Sequence, residues 1–353
     1  MKTTIYNSLF LFFISLATTF ANPLRNFEFN KEKNIQKTYS VNTDATVNVS
    51  NCYGNINVYL WDENKISIQV TIKVSGNNES KVTEQLNNID VDFLASQSVV
   101  NAETTFKNKI WSNNCNMSYE INYIIKLPRK GNVDLINKYG NITIDKLYGS
   151  STIKCQYGNI NLGDFKNKQN TISLAYADNS AINLIENLNL KSQYSKITIQ
   201  KGDQININGN YNSLKLGAID NLSLSSNYTK INALEIEKFT ANGNYLTLKL
   251  GNIGNSAIVQ SSYSKVELST DKNTKSIVIE GNYSGSTILY PENYAFDFDI
   301  ALKYGSLKDN PGLKFLEKSE KNNYKTYNGY NISSGKSKIT ISSSYGNVQL
   351  INK

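Results

Sequence analysis

Four carboxylates are the first side chains of this 353-residue sequence to weigh as a catalytic set: Asp90 with Asp92, and Asp297 with Asp299. Residues two apart on a strand point the same way, and hydrolysis of a glycosidic bond needs two carboxyl groups facing across the scissile linkage. Each pair, however, alternates with apolar residues, Val91 and Phe93 in one case and Phe296 and Phe298 in the other. That is the pattern of a strand with one wet face, and neither pair receives a catalytic role. The acids of the middle of the chain, such as Asp178, Asp203, Asp220 and Glu235, stand isolated in the sequence, and calcium-binding Gly-Gly-x-Gly-x-Asp repeats are absent. The chain has no histidine, which removes Ser-His-Asp and Cys-His nucleophiles and imidazole metal sites. Cys52, Cys115 and Cys155 match no zinc spacing; in an exported protein they read as one disulfide and one buried thiol, with Cys52–Cys115 the candidate pair. Gly-Asn pairs after tyrosine look like phosphate loops, but they precede strands rather than helices, so turn chemistry accounts for them. No catalytic, cofactor-binding or metal-binding residue is assigned.

The remaining candidates are aromatic. Tyrosine accounts for 23 residues, and Tyr139, Tyr157, Tyr176, Tyr194, Tyr211, Tyr228, Tyr245, Tyr263 and Tyr283 recur at steps of 17–20 residues. Such a column supports two readings, an aromatic ladder stacked at a corner of the fold or an exposed strip that stacks on sugar rings. Positions six and four residues before the tyrosine are apolar (Leu188 and Leu190, Ile205 and Ile207, Leu222 and Leu224), and the position two before it is usually small (Cys155, Ser192, Gly209, Ser226, Gly243, Ser261, Gly281). All share the parity of the tyrosine, which predicts a ring on the apolar side of the strand, with the small residue leaving room for it. After the tyrosine the apolar positions fall at plus three and plus five, so the parity changes at an intervening Gly, Ser or Asn.

What must position these columns is a stack of short strands. Apolar spacing of two, with Ile, Val, Thr and Tyr dominant, excludes helices. A fixed period of this length predicts an all-β, single-stranded parallel β-solenoid, β-helix-like, with 17–20-residue coils and hairpin-rich caps. Proline is absent between Pro128 and Pro291, as interior ladder strands require. The template recurs outside the array, at Val47–Val58, Phe298–Leu307 and Ile339–Leu350.

The expected organisation is a signal peptide over 1–21, a linker and first coil over 22–60, an inserted β-rich cap over 61–130, the repeat array over 131–307, and an insertion with a closing coil over 308–353. Lys2, the apolar run Leu9–Ile14 and the small-residue end at Ala21 carry the signal-peptide reading. Within the cap, strands are expected over 66–74, 90–94, 98–106 and 119–127, with one helix from Ser80 as N-cap to Asn88. No segment after the signal is apolar enough to span a bilayer.

The formal charge is +8, carried almost wholly by lysine, with Arg25 and Arg129 the only arginines. Base readout favours arginine forks, so nucleic acid is not the expected partner; anionic glycans or lipids suit a lysine surface better.

The signal peptide, the opening Tyr53-Gly54-Asn55-Ile56-Asn57-Val58, the strand Tyr119–Pro128 ending in Leu-Pro, the repeated YGNI-like coils and the closing Tyr345-Gly346-Asn347-Val348 together resemble the DUF4097/DUF2807-type family of proposed adhesins, common among exported proteins of Bacteroidota. The resemblance covers about 40–353, and Tyr-Ser and Tyr-Asn replace the family's Tyr-Gly in several coils. It implies a right-handed β-helix-like fold, a surface or envelope location and no catalytic residue. The expectation is a non-enzymatic envelope or surface protein, in the periplasm, at the outer membrane or outside the cell, offering a solenoid face to a glycan or a protein and using no cofactor. The alternatives are a β-helix lyase or hydrolase, and a periplasmic partner of an envelope sensor.

Overall fold

The computed structural model describes residues 27–108, 117–308, 311–335 and 337–353. The expected signal peptide, Trp111 and Cys115, with its proposed link to Cys52, lie outside the described residues.

The described residues fold as a β-solenoid of 26 strands, mostly parallel. One coil illustrates how the sequence builds it. Along 197–212 the buried residues are Ile197, Ile199, Gly202, Ile205, Ile207, Gly209 and Asn212. The alternation skips at 200–201, at 203–204 and at 210–211, and each skip turns the chain so that the next residue again faces inward. The coil therefore has a first face (204–210), a tyrosine corner, a second face (196–200 in this coil) and a short third side. Register holds from coil to coil: Ile199 sits over Leu216, Ile205 over Leu222 and Ile207 over Leu224. The core is thus a set of columns of buried Ile, Leu, Val and Phe running the length of the rod.

Each tyrosine corner is made by the tyrosine itself. Tyr53, Tyr139, Tyr157, Tyr176, Tyr194, Tyr211, Tyr228, Tyr245, Tyr263, Tyr283, Tyr304 and Tyr345 all adopt left-handed backbone, with φ between 49° and 62°. This corrects the expectation of a ring on the apolar side. A left-handed residue reverses the strand's alternation at that point, so the ring swings out while Gly209, two before Tyr211, and Asn212, the residue after it, face in. From Tyr139 onward the ladder rings are 43–51 % exposed. At two coils the small position two before the tyrosine lets backbones approach: a Cβ on Gly209 would lie 1.8 Å from the Ser192 carbonyl oxygen, and one on Gly243 1.7 Å from that of Ser226.

Two sets of side chains satisfy the backbone at these corners. In the Tyr-Gly-Asn coils, asparagine side chains bridge layers: Asn141 N–H donates to Asn55 Oδ1 at 2.9 Å and Asn159 N–H to Asn141 Oδ1 at 2.8 Å. Where a polar residue replaces the glycine, its buried side chain accepts from the previous coil. Ala177 N–H donates to Ser195 Oγ, Ser195 N–H to Asn212 Oδ1 and Asn212 N–H to Thr229 Oγ1, at 3.2–3.3 Å. The replacement of Tyr-Gly by Tyr-Ser, Tyr-Asn and Tyr-Thr thus exchanges an outer amide ladder for an inner hydroxyl and amide ladder.

The ends of the rod differ from expectation. The segment expected to be wholly a cap contributes a coil of its own: strands Val99–Phe106 and Met117–Pro128 pair in parallel outside the first coil, Thr46–Cys52 and Ile56–Trp61. Antiparallel strands Ile89–Ala95, Lys65–Gly76 and Phe29–Ser40 then cover that outer layer. The helix Glu79–Asn88 is capped by Asn78, whose side chain accepts from Lys81 N–H at 3.0 Å, and not by Ser80. At the other end the last coil in sequence is not the last in space. Strand Lys338–Ser344 lies between Ser276–Asn282 and Phe296–Lys303 and pairs in parallel with both. The hairpin Lys314–Lys321 and Tyr324–Asn331 covers the outer edge of Phe296–Lys303 in antiparallel register. Both ends are therefore interleaved: a coil remote in sequence is inserted beneath the outermost one.

Candidate binding face

The tyrosines form one continuous ladder, Tyr53 through Tyr283, then Tyr345, then Tyr304, with ring centroids 4.6–5.4 Å apart and planes within 12° of parallel. Each interior ring has both π-faces against its neighbours, so the ladder offers ring edges and phenol groups to solvent, and a sugar ring has no free face to stack on within it. The ladder reading of the column therefore describes the rings' contacts, while the exposure belongs to their edges.

The first face, on one side of this ladder, carries the concavity. A trough of about 660 Å³ runs over five adjacent coils. Its outward residues, coil by coil, are Ile136 and Lys138, Lys154 and Gln156, Ser173 and Ala175, Lys191 and Gln193, Asn208 and Asn210. The register places Ser173 directly between Lys154 and Lys191, whose backbones are two strand spacings, roughly 10 Å, apart. The trough exists because Ser173 and Ala175 are short where the flanking coils carry lysine and glutamine. Three lysines line it and no carboxylate does. None of Lys138, Lys154 and Lys191 is in an ion pair among the described residues; the Lys138 ammonium lies 5.0 Å from the centre of the Tyr139 ring. Further along the same face, Asn210, Asn227 and Asn244 form an outward amide ladder, with N–H to Oδ1 distances of 2.9 Å.

The second face is flat and cationic. Lys196, Lys215, Lys230, Lys249 and Lys265 occupy five successive coils, alternately at the second and the fourth residue after the tyrosine. The alternation keeps like charges from standing directly opposite each other. Asp178 pairs with Lys196 at 3.4 Å and Glu267 approaches Lys249 at 4.0 Å. Of the acids read as isolated in sequence, Asp203 and Asp220 come into register with each other, while Glu235 stands between Ala218 and Asn252. Glu186, Asp203, Asp220 and Glu237 occupy equivalent positions of four consecutive coils, on the side of each coil away from the tyrosine. They form a column without converging: among the described residues no group of three His, Cys, Asp or Glu side chains could hold a metal ion.

The carboxylates first weighed for catalysis lie at opposite ends of the rod. Asp90 Oδ1 accepts from Val91 N–H and lies 3.7 Å from Lys33, and Asp92 is exposed on the same strand. Asp297 accepts from Gly335 N–H and Asp299 lies 3.8 Å from Lys338. Asp90, Asp297 and Asp299 are held in local surface bonding, and the structure brings neither pair to the trough. Cys155 fills the small inward position of its coil; burial pushes its thiol up to about 12, and its Sγ points at the Gly140 carbonyl oxygen, 3.5 Å away. Among the described residues no helix is long and apolar enough to cross a membrane. Sequence reasoning missed the trough, whose only signal was a pair of short outward residues in one coil between coils carrying lysine.

No family model matches the sequence, and no curated protein matches it. Several solved structures are similar along most of their length. A proposed cell adhesion protein from Clostridium sporogenes ATCC 15579 is 13% identical, with 92% of this chain and 100% of that one covered and a TM-score of 0.19. A proposed adhesin from Parabacteroides merdae ATCC 43184 is 10% identical, with 90% and 96% covered and a TM-score of 0.38. A proposed lipid-binding protein from Parabacteroides distasonis ATCC 8503 is 11% identical, with 90% and 96% covered and a TM-score of 0.32. At these values the matches assign no family and no function to the chain.

Proposed function

We propose that this protein is a non-enzymatic component of the cell envelope or cell surface, adhesin-like, which presents the first face of its solenoid to a glycan or to an envelope protein. The observation that carries the reading is the trough: a concave strip in which lysines, side-chain amides and the Ser173 hydroxyl share the lining with the apolar Ile136 and Ala175, with no carboxylate in it. Amide and hydroxyl groups held on ladder strands are preorganised for hydrogen bonding, which lowers the ordering cost of binding. The signal-like start of the sequence supports export, and the resemblance to adhesin-type repeats supports an envelope or surface location. The lyase or hydrolase alternative lacks a residue set to carry it, and no observation favours a sensor partner.

The reading is tested by retention on immobilised envelope polysaccharides and envelope proteins. Purified protein should be retained by at least one of them. Replacing Gln156, Gln193 and Asn208 together by alanine should weaken that retention several-fold without shifting the unfolding midpoint. Retention that survives those replacements, and equally survives alanine replacement of outward residues elsewhere on the first face, would remove the face from the account.

A further inference from the structure

We infer that the trough is a site for a linear oligosaccharide bearing carboxylates, laid along the rod axis with one anionic group seated over Ser173 between Lys154 and Lys191. This deepens, and rests on, the reading of the first face as a binding face.

The argument begins with charge. Lys154 and Lys191 stand on either side of the one coil whose outward residues are small, and Lys138 lies diagonally beyond Lys154. Unpaired ammonium groups on flexible stems can converge on an anion placed in the gap, and the Ser173 hydroxyl supplies a donor at its floor. No carboxylate lines the trough, and among the described residues none of its three lysines is in an ion pair; Asp134 and Glu103 line the adjoining depression beyond Ile136. Lysine, a compact charge with rotatable donors, suits a carboxylate at a shallow site, whereas base-reading forks would require arginine.

The second consideration is shape. The trough crosses five coils, a length of about 19 Å at the strand spacing, so its occupant is extended. Gln156, Gln193, Asn208 and Asn210 line it with side-chain amides that both donate and accept. A polyhydroxylated chain can use both functions, whereas a bilayer surface is too flat to enter. The lysines of the second face are a weaker candidate. They are more numerous, but that face is flat, and two of the five are already engaged by Asp178 and Glu267.

A short oligogalacturonate and its fully methyl-esterified counterpart form the discriminating pair, since esterification removes the charge and keeps the sugar. Calorimetry on the full chain should show the acid form binding at least about tenfold more tightly than the ester, with the difference shrinking as salt rises. Lys154→Gln with Lys191→Gln should abolish that difference. Ser173→Tyr, which fills the gap and suits a strand, should abolish binding of both forms while both lysines remain. Equal binding of acid and ester would overturn the anionic inference and leave the glycan-binding face standing. Binding of neither would overturn the inference, and retention on an envelope protein would then keep the broader reading. Loss of acid binding in Lys215→Gln, Lys230→Gln, Lys265→Gln but not in the trough variants would move the site to the second face. Comparable binding of duplex DNA or anionic vesicles, lost in the same trough variants, would replace the site by a non-selective cationic patch.

Discussion

At the residue scale the structure turns on a conformation that tyrosine rarely adopts. A non-glycine residue in the left-handed region costs about 1–3 kcal/mol, and here that conformation recurs at every coil of the array. Each coil gains one stacked ring interface, and aromatic pairs contribute about 0.5–1.5 kcal/mol beyond the area they bury. The ladder therefore offsets much of the backbone cost, and no single ring would repay it alone. Substitution at Tyr228, in mid-ladder, separates the two effects. Tyr228→Asn should lose the stack but tolerate the backbone, Tyr228→Ala should lose both, and Tyr228→Ile should be worst because a β-branched residue is a genuine outlier there. Denaturant midpoints should fall in that order, with Ile roughly 1–2 kcal/mol below Asn. A second prediction concerns pH. Burial raises the Cys155 thiol from 9.0 to about 12 and the Tyr294 phenol from 10.0 to about 12. Their contribution is complete below pH 9, where both states hold their protons. The unfolded chain releases protons first as pH rises past 9 and 10, so stability falls progressively up to about 12. Thermal midpoints measured across this range should decline, and Cys155→Ala should flatten the earliest part of the decline.

At the element scale the coils, their period and their inward columns were legible in the sequence, because apolar spacing of two and a fixed repeat report burial directly. Ile205, Ile207, Leu222 and Leu224 are buried as their spacing requires. The direction of the tyrosines was not legible by parity, since parity assumes that every residue between two apolar positions is extended. The change of parity after each tyrosine is the visible trace of the corner, which falls on the tyrosine itself, one residue before the Gly, Ser or Asn that the spacing points to. The interleaving of the end coils left no local trace at all. Which coil neighbours which depends on edges separated by tens of residues, as with Phe296–Lys303 and Lys338–Ser344. This arrangement makes the closing coil a wedge. Deleting 338–353 should leave two parallel edges facing a gap, and such edges promote association. Light scattering should rise, and hydrogen exchange should lose protection in Ser276–Asn282 and Phe296–Lys303 while the middle coils keep theirs. The corner ladder gives a finer test. Thr229→Val keeps the shape but removes the hydroxyl that accepts from Asn212 N–H and pairs with Ser226 Oγ at 2.6 Å. A loss of about 1–3 kcal/mol is expected for orphaned buried groups, with faster amide exchange at Asn212.

At the scale of the whole molecule, the rod is sided in its charge. Lysines line the trough on the first face and five successive coils of the second, while Glu186, Asp203, Asp220 and Glu237 stand in a column on the far side of the coil. The ends are closed by antiparallel strands rich in charge, Phe29–Ser40 with Lys31, Lys33 and Lys37, and Lys314–Lys321 with Glu317, Lys318 and Glu320. Charged edges oppose end-to-end addition of further strands, so what the molecule has to offer is its long faces. The central claim is that one of those faces binds without turning over what it binds. The most direct test incubates the protein with an acidic polysaccharide and follows association and chain length in the same sample. The account predicts saturable, salt-sensitive association with the chain-length distribution unchanged. Shortening of the polysaccharide, abolished by replacing a single carboxylate, would contradict it.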